Sequence, residues 1–293
     1  MSKIKIVTDS SSDIPQATLE RYGIEMLSLP ITIDGKGYYE RESFTIEEFY
    51  GLLAACKETP STSMVPEPSF LECYARAAQE GYTDLLNVVI NASGSGTYSA
   101  AMRAKETFYA ENPDAQMKIH LVDSGSYTLA YGYPVMEAAR MVEAGKTVEE
   151  ILAYLADWFA SIEVYLGVYT LEYAKKSGRI GGIGAFVGEV LGLRPIIGSI
   201  GGKTTIVDKV RGDKNVVPRL FEAYKKTVTD RTKPVIVLHG VDKGPTQELA
   251  ALIEQETGRP PEMFNVGACV AINTGPNPVA LVCHGKKRTD EHN

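Results

Sequence analysis

The sequence predicts an α/β protein: an N-terminal, mostly parallel sheet flanked by helices, followed by a C-terminal α+β domain. Three observations lead there. Up to about residue 162, short apolar runs such as "KIKIVTD" and "LLNVVI" alternate with segments of helical periodicity, the pattern of parallel strands covered by helices. Three of those runs end in polar loops, Asp9–Asp13, Asn91–Thr97 and Asp123–Tyr127, where sheets of this kind bind ligands. Beyond residue 162 the chain changes to strands paired through a Gly201-Gly202 turn, with helices between later strands. The 293 residues suffice for two domains, expected at 1–162 and 163–293.

The elements follow in order. After the strand "KIKIVTD", Asp13 is expected to cap a helix that begins near Pro15, a favoured first position, and stops at Gly23. "IEMLSLPITIDGKGYYE" reads as a strand and then a hairpin turned at Asp34-Gly35. Helices are expected near 45–57 and 68–80, separated by "KETPSTSMVPEP", too rich in proline and hydroxyls for helix or strand. Strand 85–90, helix 96–110, strand 117–123 and helices near 127–144 and 147–161 complete the first half. The second half opens with a strand. The glycine-rich "SGRIGG" then leads to a small-residue helix, and two strands flank Gly201-Gly202. Helix 214–229, strand 234–239, helix 245–257 and two terminal strands follow.

Composition excludes several classes. Hydrophobic residues make up 44% and charged residues 23%, an ordinary globular balance. A net charge of −7 argues against a broad nucleic-acid footprint. Cys56, Cys73, Cys269 and Cys283 form no C-x-x-C pair and the four histidines are scattered, so no zinc spacing is present and free thiols in a reducing compartment are expected. No apolar run approaches the roughly 20 residues that cross a bilayer, and "KIKIVTD" lacks the apolar stretch of a signal peptide; a cytoplasmic location is expected.

Chemistry concentrates in a few places. The segment "NASGSGTYSA" joins a strand to a helix, and the unpaired N–H groups and dipole of a helix start attract an anion. It is neither the G-x-S-x-G elbow nor a P-loop, because Ser95 has glycine directly on each side and no G-K-[ST] follows. A plain helix cap and a small-anion site both fit. Asp9, Ser10, Ser11, Ser12 and Asp13 could ligate a metal or build a cap-and-turn network. In "SGRIGG", Arg179 stands in a glycine frame after Lys175 and Lys176, suited to a phosphate, a carboxylate or a protein partner. Arg211, in "DKVRGDKN", lies at a strand end.

Taken in order, "TDSSSDIP", "STS" at 61–63, "SGTY" at 95–98, "VDS" at 122–124, "AKKSGRIGG" at 174–182, "LRPI" at 193–196, "KVRG" at 209–212 and "TGP" at 274–276 resemble the DegV family across nearly the whole chain. The resemblance implies a DegV-like two-domain fold that binds one long-chain fatty acid, the carboxylate near the domain junction and the tail in an apolar tunnel. It implies no cofactor, no metal and no chemistry of the chain's own. Several members are the acyl-carrying subunit of a bacterial fatty acid kinase, whose ATP-binding subunit phosphorylates the bound carboxylate.

Carried over residue by residue, the head-group hydroxyls fall on Thr62 and Ser95, with backbone around Ser95 and Gly96. The docking arginine falls on Arg179 and a second site arginine on Arg211. Candidate tunnel residues are Ile90, Phe186, Val187, Leu191 and Ile196. Asn273 stands where members commonly carry histidine and can donate a hydrogen bond without shuttling a proton. Asn277 replaces the usual glycine after "TGP" and Met64 the glutamine after Thr62-Ser63, which weakens the expected kinase coupling more than the lipid binding. The competing reading is a stand-alone hydrolase or phosphotransferase using Asp9, Asp13 and the Ser95 loop. A sensor or transport module for another amphiphile is a third.

Overall fold

The computed structural model describes residues 3–170, 172–182 and 192–288. The chain folds into two compact units, and both are discontinuous in sequence. The first holds 1–31, 37–43 and 62–159; the second holds 32–36, 44–61 and 160–293.

In the first unit, β1 (Ile4–Asp9) runs into a 3-10 turn, Ser10–Ser12, and then α1 (Gln16–Tyr22) and β2 (Glu25–Leu27). A small sheet of β3 (Pro30–Ile33), β4 (Lys36–Tyr39) and β5 (Ser61–Thr62), in the order β4-β3-β5, contains three of the points where the chain changes unit. Past it come α2 (Ile46–Ala55), which belongs to the second unit, and α3 (Glu67–Gln79). Next are β6 (Asp84–Val89), α4 (Thr97–Glu111), β7 (Lys118–Asp123), α5 (Leu129–Glu143) and α6 (Val148–Ser161).

The main sheet of this unit has the order β2-β1-β6-β7, with every neighbouring pair parallel. The apolar run that suggested a covered strand becomes β6, buried at all six positions. Its one polar interior residue, Asn87, is paired on one side: Nδ2 donates to the Tyr74 hydroxyl at 2.8 Å, while the buried Oδ1 has no partner among the described residues. A buried amide is tolerated when it is bonded and costs a few kcal/mol when it is not.

The second unit contains α2 and continues with β8 (Ile162–Gly167), α7 (Glu172–Ser177), β9 (Leu193–Ile200), β10 (Lys203–Arg211) and α8 (Val216–Thr227). Then come β11 (Ile236–His239), α9 (Gly244–Thr257), β12 (Glu262–Asn265), α10 (Ala268–Thr274) and β13 (Val279–His284). Six strands take the order β10-β9-β8-β13-β11-β12. All neighbours are antiparallel except β11 and β12. Helices α8 and α9 bury Val216, Leu220, Leu249 and Ile253 against Val237, Val279 and Leu281 of the sheet, each side chain contributing about 1.5–3 kcal/mol. Strand β10, at the sheet edge, alternates exposed and half-buried over its whole length.

Local chemistry explains most boundaries. Thr45 and Glu48 form a capping box on α2, with Glu48 N–H donating to Thr45 Oγ1 at 3.1 Å and Thr45 N–H to Glu48 Oε2 at 2.8 Å. The hairpin between β3 and β4 turns at Asp34 and Gly35, both at positive φ (47° and 78°). Gly23 ends α1 in the left-handed region at φ 60°.

Some expectations are corrected. Asp13 does not cap α1: the cap position is Pro15, with no side-chain bond. Asp13 instead sits at φ 56° and closes the 3-10 turn, its N–H reaching Ser10 O at 3.4 Å. The proline-rich 57–68 segment contains the short strand β5, and α7 and α10 interrupt what read as loop and terminal strand. The small-residue helix expected after "SGRIGG" falls mostly on 183–191, outside the described residues, with the candidates Phe186, Val187 and Leu191.

Candidate functional site

The strand order creates a switch point. From β1 the chain reaches β2 on one side and β6 on the other, so the order reverses between β1 and β6. Loops leaving the carboxyl ends of those two strands cannot cover the gap between them, which is where ligands enter such sheets. At the strand tips the segments after β1, β6 and β7 are held to one another by hydrogen bonds. Ile90 N–H donates to Asp9 Oδ2 at 2.8 Å. Asn91 N–H donates to Ser126 O at 3.0 Å. Ala92 N–H donates to Asp123 Oδ1 at 3.0 Å.

The loop before α4 is shaped by its own polar groups. Asn91 Oδ1 accepts from Ser93 N–H and Oγ, both at 3.0 Å, and Asn91 Nδ2 donates to the Tyr127 hydroxyl at 3.0 Å. The two glycines serve two neighbours. A Cβ on Gly94 would stand 2.1 Å from the Tyr127 hydroxyl oxygen, and one on Gly96 would stand 2.6 Å from Met64 Sδ. The run "N-x-S" is a sequence signal for such an Asx turn; Tyr127 and Met64 carry no comparable signal, because their contacts come from distant parts of the chain.

Ser95 and Thr97 form the polar tip. Thr97 is fully buried at the start of α4. Its N–H donates to Ser95 Oγ at 3.2 Å, its hydroxyl bonds Ser95 Oγ at 2.9 Å, and its Oγ1 accepts Val65 N–H at 3.3 Å. Val65 is itself fully buried. These bonds seat the 62–65 segment, with half-buried Thr62, against the Ser95–Thr97 loop. A hydroxyl carries one proton and two lone pairs. When Thr97 donates inward to Ser95, both Ser95 lone pairs are occupied and its proton points outward. A half-buried Ser95 and an exposed Gly96 then offer donors at the end of a helix dipole, a suitable place for a carboxylate.

Asp9 is occupied by the fold. The carboxylate is fully buried; Oδ1 accepts from Ser11 N–H (3.1 Å), Ser11 Oγ (2.6 Å) and Tyr131 Oη (2.7 Å), and Oδ2 from Ile90 N–H. Burial pushes the carboxyl up from its ordinary value, against those bonds, which pull it down. Ser10 Oγ joins buried Glu40 (2.6 Å) to Leu29 N–H (3.0 Å). This is a cap-and-turn network tying β1 to α5 and β6. Among the described residues no three His, Cys, Asp or Glu side chains gather as metal ligands.

Arg179, Arg211, Asn273 and Asn277 lie on the second unit. Arg179 is exposed, and the loop that carries it is firmly held: Ile180 is 7% exposed in a cluster with Val168, Ala174 and Ile197. Gly181 N–H donates to Thr204 O at 2.9 Å, and Ile206 N–H donates to Gly181 O at 3.2 Å. Positive φ at Gly178 (65°) and Gly182 (80°) turns the chain on either side. Arg211 is exposed at the end of β10. Asn273 is half-buried on α10 and spends an amide proton on its own helix, Nδ2 donating to Cys269 O at 2.7 Å. Asn277 accepts Asp242 N–H at 3.0 Å, a structural use of the residue after "TGP". Ile90 is core of the first unit, and Ile196 is core of the second beside Val216 and Val279.

Together the elements define an α/β protein with a hydroxyl-rich helix-start loop at a strand-order reversal. Residues 3–286 match the family model described as "Uncharacterised protein, DegV family", and the chain belongs to the DegV family. A DegV domain-containing protein of Clostridium perfringens is 30% identical over 279 residues, covering 95% of this chain and 97% of that one. A solved DegV family protein from Thermus thermophilus, described by its fatty acid binding, superposes with a TM-score of 0.84 at 28% identity, covering 97% of this chain and 100% of that chain. A stearic acid-binding protein from Eubacterium ventriosum superposes at 0.86 with 25% identity, covering 98% and 99%. Among the described residues no helix is long and apolar enough to cross a membrane, and all four cysteines are free, three of them buried.

Proposed function

We propose that this protein binds one long-chain fatty acid in the cytoplasm and carries it without transforming it. The observation that carries the reading is the Ser95 hydroxyl at the start of α4, 2.9 Å from the Thr97 hydroxyl and beside the 62–65 segment. Thr62 and Ser95 hydroxyls, with the backbone of Gly96, are the carboxylate donors; an ionised carboxylate accepts about four hydrogen bonds and needs no counter-charge when donors converge on it. A sixteen-carbon tail supplies on the order of 10 kcal/mol of burial, so the tail sets affinity and the donors set orientation. Asn273 and Arg211 are read as ligand residues on the family resemblance. Arg179, presented by a loop fixed at Ile180 and Gly181, is the docking residue for an ATP-binding fatty acid kinase subunit.

Native mass spectrometry of the purified protein, followed by lipid extraction, tests this. One adduct of fatty-acid mass per chain is expected, reduced by Ser95→Ala with Thr62→Ala. A bare protein that also refuses added palmitate and oleate refutes it. Arg179→Ala should spare the lipid and lower kinase-dependent phosphorylation; lost lipid would make Arg179 a ligand residue.

A further inference from the structure

Arg179 stands on a loop, 178–182, that is exposed at every position except Ile180. The Ile180 side chain packs with Val168, Ala174 and Ile197, and Leu166 and Ile206 lie against the same cluster. The next residue makes a second attachment. Gly181 forms a one-residue parallel bridge with Thr205 on β10, its N–H donating to Thr204 O at 2.9 Å and its carbonyl accepting Ile206 N–H at 3.2 Å. The approach is close: a Cβ on Gly181 would stand 3.2 Å from Thr204 O and 3.3 Å from Thr205 Cγ2. At Gly178 and Gly182 the same construction meets open space. The loop is therefore gripped at 180–181, directly after the arginine it presents.

We propose that Ile180 and Gly181 are positioning residues for Arg179: an anchor and a strand clip that hold the docking arginine in place before the partner arrives. The inference rests on the reading of Arg179 as the residue that docks a kinase subunit. The Ile180 side chain is buried, and both backbone polar groups of Gly181 are spent on β10, so each acts through Arg179. A partner that meets a loose loop must order it first, and its apparent affinity falls by the fraction of chains that hold the competent loop. An anchor of one side chain and a clip of two hydrogen bonds open locally, without unfolding the larger core formed by α8, α9 and the sheet.

The test measures phosphorylation of bound hexadecanoate by a purified ATP-binding fatty acid kinase subunit, with the loaded protein as the varied substrate. Ile180→Ala and Gly181→Val should each raise KM for the loaded protein by about tenfold and leave kcat within about twofold. Ile180→Val, which keeps most of the anchor, should bring KM back to within about twofold of wild type. Trypsin should cut after Arg179 about tenfold faster in Ile180→Ala than in wild type or Ile180→Val, while mass spectrometry still finds one lipid per chain. If Arg179→Ala raises KM but Ile180→Ala and Gly181→Val do not, the positioning role is overturned and Arg179 remains the docking residue. A variant that loses its lipid, or loses kcat without a change in KM, also overturns that role. A wild type that is not phosphorylated, or an Arg179→Ala variant with the wild-type KM, overturns the docking reading and this inference with it.

Discussion

Replacing Asp9 by asparagine should destabilise the first unit by about 2–3 kcal/mol, because one backbone N–H must be orphaned whichever way the amide turns. With the amide oxygen in the Oδ1 place, the Asn NH2 faces Ile90 N–H, which now donates to Oδ2 at 2.8 Å. With the amide reversed, the NH2 faces Ser11 N–H, now 3.1 Å from Oδ1. The Ser11 and Tyr131 hydroxyls can rotate and accept; a backbone N–H cannot. Each orphaned buried donor costs about 1–3 kcal/mol, and the amide protons left opposing it add to that, while the neutral side chain recovers part of the cost of burying a carboxylate. The assay is built in. Trp158 is the one tryptophan of the chain, belongs to the first unit, and is 4% exposed. It stacks on Tyr133 at 5.4 Å, with Nε1 donating to Ala130 O. Its fluorescence in a urea titration should show a midpoint lower by about 1 M for Asp9→Asn, from a slope of roughly 2 kcal/mol/M. A midpoint within about 0.2 M of wild type would refute the four-donor account of Asp9.

Four further outcomes are expected. Burial opposes ionisation of Glu25, but Lys5 at 3.0 Å, Cys73 and Arg76 outweigh it and hold the carboxyl below its usual value. Its stabilising effect is present above the ordinary glutamate range and disappears as pH falls through the depressed value, so Glu25→Gln should flatten the acid limb of stability against pH; an unchanged limb would exclude this cluster. Gly240→Ala places a Cβ 1.9 Å from Pro276 O and 2.7 Å from Pro278 Cδ, neither able to yield, and should cost about 3 kcal/mol or more in a denaturant titration. Gly96→Ala meets only the flexible end of Met64, and its thermal midpoint should stay near wild type, with a loss below about 0.5 kcal/mol. An aromatic disulfide reagent should label half-buried Cys56 in the native protein and reach Cys73, Cys269 and Cys283 only on unfolding, burial having pushed the Cys73 and Cys283 thiols up; rapid native labelling at a second site would contradict that packing.

Where the information is local, the sequence determined the outcome by itself. Strand and helix alternation, the Asp34-Gly35 and Gly201-Gly202 turns, the stop at Gly23 and the polar loops after β1, β6 and β7 depend on residues a few positions apart, and each reappears in the fold. The same locality misled at Asp13, whose side chain suits a helix cap but whose backbone is committed to the 3-10 turn before it. Only the tertiary structure decided the strand order β2-β1-β6-β7, and with it the reversal between β1 and β6, because pairing partners some 80 residues apart are chosen by packing and not by periodicity. It also decided that Asp9 is a structural anchor, that residues 32–36 and 44–61 belong to the second unit, and that Asn273 turns an amide proton onto Cys269 O. The family resemblance marked Ser95 and Thr62; that the 62–65 segment lies against the Ser95–Thr97 loop comes from the bond between Val65 and Thr97, thirty-two residues apart in the chain and 3.3 Å apart in space.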